Sequence, residues 1–165
     1  MQSNEQYRPN VAVVITNGDG QVLLCRRLCD DGSCVLQCVQ GGIDPGESLM
    51  EAGLREIAEE IGVHADDVRI LDAMEEKIAY RWDEEFIKRI GGEFVGQEQT
   101  FLLAQIPHDV PINLDAHERE FEEVYWGSPE ELLAKCWDKK RLGISTALHR
   151  FGLLIARPSA PGEDY

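Results

Sequence analysis

The sequence predicts a single α/β domain built on a mixed β-sheet held between helices. Three observations predict it. Short apolar runs rich in β-branched residues, such as "VAVVIT" (Val11–Thr16) and "TFLLAQI" (Thr100–Ile106), read as strands. Two segments open with the S-x-x-E pattern of a capped helix start, Ser48 with Glu51 and Ser128 with Glu131. Strand and helix signals then mix without the regular alternation of βαβ units, which favours a mixed sheet over an all-parallel one. A chain of 165 residues suffices for one domain with its own core. We place that domain at residues 1–155 and read 156–165, "ARPSAPGEDY", as a frayed proline- and glycine-rich tail.

The elements follow in order. "NGDG" (Asn17–Gly20) is a turn signal, and "QVLLCRR" reads as the strand returning from it. "SCVLQC" suggests a third strand, leading into "QGG" as a glycine-rich turn. A helix then starts near Leu49, with Met50, Leu54, Ile57 and Ile61 as its core-facing stripe and Gly62 as a left-handed cap. "DVRILDAMEEKIAYRW" reads as one long strand or two short ones, and "DEEFIKRIGGE" as a loop with at most a helical turn. After "TFLLAQI", "FEEVYWG" (Phe121–Gly127) is a further strand candidate. "SPEELLAKCW" carries Pro129 at the first helical position, and a last helix is expected over "ISTALHRFGLLI".

Composition narrows the function. The net charge is −15, which opposes a general nucleic-acid surface, since that needs a basic footprint. Polyphosphate chemistry stays open, because a bound cation reverses the local field. No apolar run is long enough to span a membrane, and "MQSNEQYRPN" lacks the apolar core of a signal peptide, so a cytoplasmic protein with no membrane partner is expected. Five cysteines, an odd number, argue against a disulfide framework. Cys25, Cys29, Cys34 and Cys38 lie close in sequence, but their spacings are not those of common zinc sites. Small apolar residues on neighbouring strands give a similar pattern, so no zinc is expected.

The acidic stretch "QGGIDPGESLMEAGLREIAEEIGV" (Gln40–Val63) holds six acids between Asp44 and Glu60 against one arginine. Glu56, Glu59 and Glu60 stand at i, i+3 and i+4 and share a helix face. Like charges so placed repel, by a few tenths of a kcal/mol per exposed pair. Three glutamates alone fit a solvated helix face. The preceding "GGIDPGE" adds a tight turn with exposed backbone, and the combination suits a hard divalent cation held with substrate phosphates.

These residues resemble the Nudix box, G-x5-E-x7-R-E-U-x-E-E-x-G-U, where U is a bulky aliphatic. Gly41, Glu47, Arg55, Glu56, Ile57, Glu59, Glu60, Gly62 and Val63 fill every fixed position. "YRPNVAVVITNGDGQVLLCRR", "GQEQTFLL", "EFEEVYW" and "KKR" extend the resemblance from Tyr7 to Leu154. They are similar to one branch of that family, which holds the bacterial RNA pyrophosphohydrolases and the asymmetric diadenosine tetraphosphate hydrolases. The resemblance implies a Nudix α/β/α sandwich with a central mixed sheet. It implies Mg²⁺, or Mn²⁺, held by Glu56, Glu59 and Glu60 with the Gly41 carbonyl and Glu120. Arg55 and Glu47 would brace the box, Glu56 is the favoured base, and Arg8, Arg27, Gln40 and Lys140 would contact substrate. The implied partner is a nucleotide polyphosphate or an RNA 5′ end. RNA 5′ triphosphate or diphosphate ends, giving monophosphate, are the first substrate reading; diadenosine tetraphosphate, cut to ATP and AMP, is the second. A nucleotide-binding module without catalysis is the rival from another class, but its mark would be a damaged box. The oligomeric state is not legible.

Departures are confined to the surroundings. Leu36, Cys38 and Val39 stand where the branch has tryptophan, a bulky residue and proline, while Gln37 and Gln40 are kept. Glu98 and Thr100 replace lysines, and Ile144 a tyrosine. Tyr80, Trp82, Tyr125 and Trp126 read as packing residues, and His64, His108, His117 and His149 as structural.

Overall fold

A computed structural model describes residues 5–155; the tail expected at 156–165 lies outside the described residues. Strands are β1 (Gln6–Thr16), β2 (Val22–Leu28), β3 (Cys34–Gln37), β4 (Val39–Gly42), β5 (Arg69–Arg81), β6 (Phe94–Gln105) and β7 (Glu123–Gly127). Helices are α1 (Leu49–Ile61), α2 (Glu84–Ile90), α3 (Pro129–Lys135) and α4 (Asp138–Arg150), with a 3₁₀ turn at Ala65–Asp67. The strand order is β3-β2-β1-β6-β5, with β4 pairing β1 and β7 pairing β2. The β1–β6 pair is parallel and the other pairs antiparallel, so the sheet is mixed as expected.

Alternation along β1 builds two cores. Val11, Val13 and Ile15 pack with Ile57 and Ile61 of α1. Ala12 and Val14 face the other way, onto Leu132 of α3 and Ile144, Ala147 and Leu148 of α4. A strand of period two buried on both faces needs this continuous apolar run. The result is helix, sheet, helix in three layers.

β1 and β2 pair only at their turn, Thr16 against Val22. Beyond it β4 takes β1 at Asn10–Val13, and β3 and β7 take β2. The two strands therefore part, and Arg8 and Arg27 sit toward their separated ends.

Several expectations are corrected. "QGG" is not a turn: Gln40, Gly41 and Gly42 lie in β4, paired with Ala12, Val11 and Asn10. "DEEFIKRIGGE" contains α2, closed by Gly91 in the left-handed region (φ 65°). The last helix starts at Asp138 rather than Ile144, because the Trp137 carbonyl already accepts from Lys140 N–H at 2.9 Å. The α1 stripe is also shifted. Met50 is 50% exposed and Leu54 only half-buried. Ala52 and Gly53 take the inner face, where a Cβ on Gly53 would stand 2.6 Å from Leu102 Cδ1. Close approach to the sheet selects small residues there, and that approach is invisible to periodicity.

The cysteines occupy different surroundings. Cys25 belongs to the α1-side core, Cys38 and Cys136 to the opposite core, Cys29 is half-buried and Cys34 exposed. All five are free thiols.

Candidate active site

Helix α1 starts where the sequence placed it. Ser48 Oγ accepts from Glu51 N–H at 3.1 Å, and Gly62 ends the helix at φ 67°. Arg55 then ties the loop to the helix. Its Nε and Nη2 donate to the two Glu47 carboxylate oxygens at 2.8 and 2.9 Å, and Nη2 also donates to the Gly42 carbonyl at 2.8 Å. This bidentate pairing is the geometry a guanidinium fork provides and an ammonium does not. Hydrogen bonds from Arg55 and the Asp44 N–H push the Glu47 carboxyl down to about 2. Glu47 Oε1 accepts that Asp44 N–H at 3.0 Å, closing the "DPGE" turn.

Glu56 and Glu60 are buried, unlike ordinary surface glutamates. Both lie on the side of α1 that carries Ile57 and Ile61, so the acidic face partly overlaps the apolar one. Burial raises the Glu60 carboxyl to about 9, with further repulsion from Glu56 and Glu120; the Gln40 N–H, donating to Glu60 Oε1 at 2.9 Å, and Lys140 oppose the rise. Burial also raises Glu56, although Arg55 Nη1 donates to it at 2.7 Å. Glu59 is more open and lies 3.5 Å from the same nitrogen.

One cleft collects these groups. Its walls include Glu56, Glu59 and Glu60 from α1, Gln40, Gly41 and Gly42 from β4, and Arg8 and Arg27 from the parted strands. Glu120 enters from the loop between β6 and β7 and adds to the repulsion felt by Glu56 and Glu60. Gly41 and Gly42 act as absences: a Cβ on Gly41 would overlap the Glu56 carboxyl, and one on Gly42 the Arg8 guanidinium.

The donor set suits a hard divalent cation. It is all oxygen, it includes a buried carboxyl that would sooner keep its proton than stay ionised alone, and it sits against a cradle without side chains. Among the described residues no three acidic, histidine or cysteine side chains are already gathered at metal-binding geometry. Arg55 instead engages Glu56 and Glu47 directly.

Two predicted groups behave differently from the rest. Lys140 does not line the cleft. It is buried behind it, in a small recess with Gln37, Cys38, Gln40, Gln99 and Ile144. Burial and the neighbouring Arg27 lower its amine to about 8, while Cys38 and Glu60 pull the other way. His117, read as structural, lines the cleft together with Glu118.

Gln37 also lines the cleft. Gln99 was not anticipated: buried in β6, it donates to Asn10 Oδ1 at 3.1 Å and to Gln40 Oε1 at 3.0 Å, fixing Gln40 beside Glu60. A polar residue inside the buried part of a strand was its one sequence signal. Of the expected packing aromatics, Tyr80 makes an edge contact with Trp137 (5.8 Å between centroids) and Trp82 with Phe86 (5.1 Å).

Comparison with known proteins shows what the chain is similar to. A family model described as NUDIX domain matches residues 6–148. The chain is 43% identical over 129 residues to the RNA pyrophosphohydrolase of Novosphingobium aromaticivorans, covering 76% of this chain and 80% of that protein. It is 34% identical over 171 aligned positions to the RNA pyrophosphohydrolase of Teredinibacter turnerae, covering 99% of each. Among solved structures, the E. coli dihydroneopterin triphosphate pyrophosphohydrolase superposes with a TM-score of 0.68 at 20% identity, over 88% of this chain and 99% of that one. A C. elegans Ap4A hydrolase complex superposes with a TM-score of 0.63 at 14% identity, over 89% and 99%. At those identities the two structures speak for the fold alone.

Proposed function

The chain belongs to the Nudix family of hydrolases, and from that premise we propose that it is a Mg²⁺-dependent RNA 5′ pyrophosphohydrolase. The observation that carries the substrate is the 43% identity to a protein named for that activity, spanning most of both chains. The cleft supports it. Two arginines and a carboxylate-rich floor suit a polyphosphate end that arrives with its cation. A chain of net charge −15 has no surplus for a nucleic-acid track.

In this reading Glu56, Glu59, Glu60 and Glu120, with the Gly41 carbonyl, would hold Mg²⁺. When bound, the ion offsets phosphate charge and acidifies water near it. Arg8 and Arg27 hold non-reacting phosphate oxygens. Water adds to the phosphorus nearest the RNA, the bridging P–O bond breaks, and pyrophosphate or phosphate leaves. Glu56 takes the water proton. Its bond to Arg55 Nη1 favours the carboxylate, while burial makes that carboxylate a readier proton acceptor. Arg55 and Glu47 position the box without touching substrate. Lys140 acts from behind the cleft wall, by its charge on Glu60. We place the activity in the cytoplasm, where free thiols such as these five persist.

A second reading, asymmetric hydrolysis of diadenosine tetraphosphate, is favoured by Glu98, Thr100 and Ile144, which remove positive charge or an aromatic that an RNA chain would use. One assay separates them. Purified protein and its Glu60→Gln variant are given Mg²⁺ with 5′-triphosphorylated RNA or with diadenosine tetraphosphate. Glu60-dependent conversion of RNA to its 5′ monophosphate supports the first reading. ATP and AMP with RNA untouched supports the second. No product in either sinks both.

A further inference from the structure

The cleft is lined by five glutamates, Glu56, Glu59, Glu60, Glu118 and Glu120, and by two arginines. Both arginines come from strands. On the loop wall, Glu118 and Glu120 repel phosphate unless a cation intervenes. His117 is the one lining side chain of that loop able to donate a hydrogen bond to an anion. The other base nearby is spent: Arg119 Nη1 holds Asp115 at 3.0 Å and its Nη2 donates to the Glu122 carbonyl at 3.1 Å.

The loop that carries His117 is fastened. Asn113 N–H donates to the Ile61 carbonyl at 2.9 Å, joining the loop to the end of the metal-box helix. Gly62 lets it close in, since a Cβ there would stand 2.7 Å from the Asn113 carbonyl oxygen and 3.2 Å from Ala116 Cβ. Phe121, 1% exposed, anchors the far side in the α1 core. His117 is thus an exposed imidazole on a loop tied down at both ends, facing the carboxylates that the family box supplies.

We propose that His117 is a substrate-binding residue, donating an N–H to the terminal phosphate of the polyphosphate, the part that leaves. The proposal rests on the polyphosphate reading of the cleft. Either tautomer of neutral imidazole presents one N–H, so the contact needs no protonation. The substrate tail is then held at two walls, by arginines on the strand side and by His117 on the loop side.

The test uses methylenediphosphonate, an uncleavable diphosphate analogue, with Mg²⁺ and the full chain, followed by calorimetry. His117→Ala is expected to weaken binding about ten-fold, the scale of one hydrogen bond to a charged acceptor. His117→Asn or His117→Gln, which keep a donor, should recover part of it, with Tm unchanged in all three. KM for the cleaved substrate should rise in parallel and kcat change less. An unchanged Kd in His117→Ala overturns the proposal, as does a loss that neither Asn nor Gln repairs, or a wild-type protein that does not bind the diphosphonate. If binding depends on His117 while neither triphosphorylated RNA nor diadenosine tetraphosphate is cleaved, the substrate assignment fails and the His117 contact stands.

Discussion

Cation binding at this site should expel a proton, and Glu60 should be its source. The Glu60 carboxyl rises from an ordinary 4.5 to about 9, chiefly by burial. At pH 7.5 only about 3% of it is then ionised, because the ionised fraction falls ten-fold per pH unit below the pKa. A cation that binds the carboxylate must displace the proton, at a cost of about 2 kcal/mol at that pH, from 1.5 units at 1.36 kcal/mol each. Its apparent Kd should therefore tighten by roughly ten-fold per unit between pH 6.5 and 8.5 and level off above 9. The sign for stability runs the opposite way. A folded pKa above the unfolded one contributes stability below pH 4.5 that is lost as pH rises through about 9. The metal-free protein should thus melt earlier at pH 8.5 than at pH 5.5 on this group's account, and Mg²⁺ should narrow the gap. Calorimetric titration of Mg²⁺ at pH 7.5 in two buffers of different ionisation enthalpy counts the protons. About one per site is expected in the wild type, and close to none in Glu60→Gln, whose melting temperature should also depend less on pH. Isotherms that coincide at pH 6.5 and 8.5, or a proton count near zero in the wild type, would refute the reasoning.

Gly41→Ala places a Cβ on the Glu56 carboxyl, so turnover should fall by about two orders of magnitude, with little change in Tm because a carboxylate end can swing aside; steady-state rates and a melt decide it. Arg55→Lys breaks the paired bonds to Glu47 and the bond to the Gly42 carbonyl, and should lower Tm by about 5 °C and activity at least ten-fold, with a failure seen if both stay at wild-type values. Lys140→Met removes a buried amine lowered from 10.5 to about 8, whose depressed value costs the folded state stability as pH falls through 10.5 toward 8. At pH 7 the variant should be more stable, by about 1–3 kcal/mol in urea, yet slower in turnover; a less stable variant would contradict the burial argument.

Much of this protein is local and therefore legible in order along the chain. Helix α1 begins at Ser48 and ends at Gly62 because capping and a left-handed glycine act within one turn. The Arg55–Glu47 brace spans one loop and forms as the spacing predicts. Glu56, Glu59, Arg8, Arg27, Gln40 and Gly41 reach one cleft. Where the reading failed, the deciding contact came from far away. "QGG" became a strand only because β1 offers an edge once β2 has diverged. Met50 lost its place to Gly53 because Leu102, some fifty residues on, comes too close for a larger side chain.

By itself, then, the sequence determined the fold class and the family box, since each rests on signals between residues near enough to sense one another along the backbone. Tertiary structure alone decided that burial raises the Glu56 and Glu60 carboxyls, that Lys140 sits behind the wall, and that His117 faces the cleft. Those outcomes depend on desolvation and on the meeting of distant segments. Both are properties of packing in three dimensions, for which spacing along the chain carries no signal.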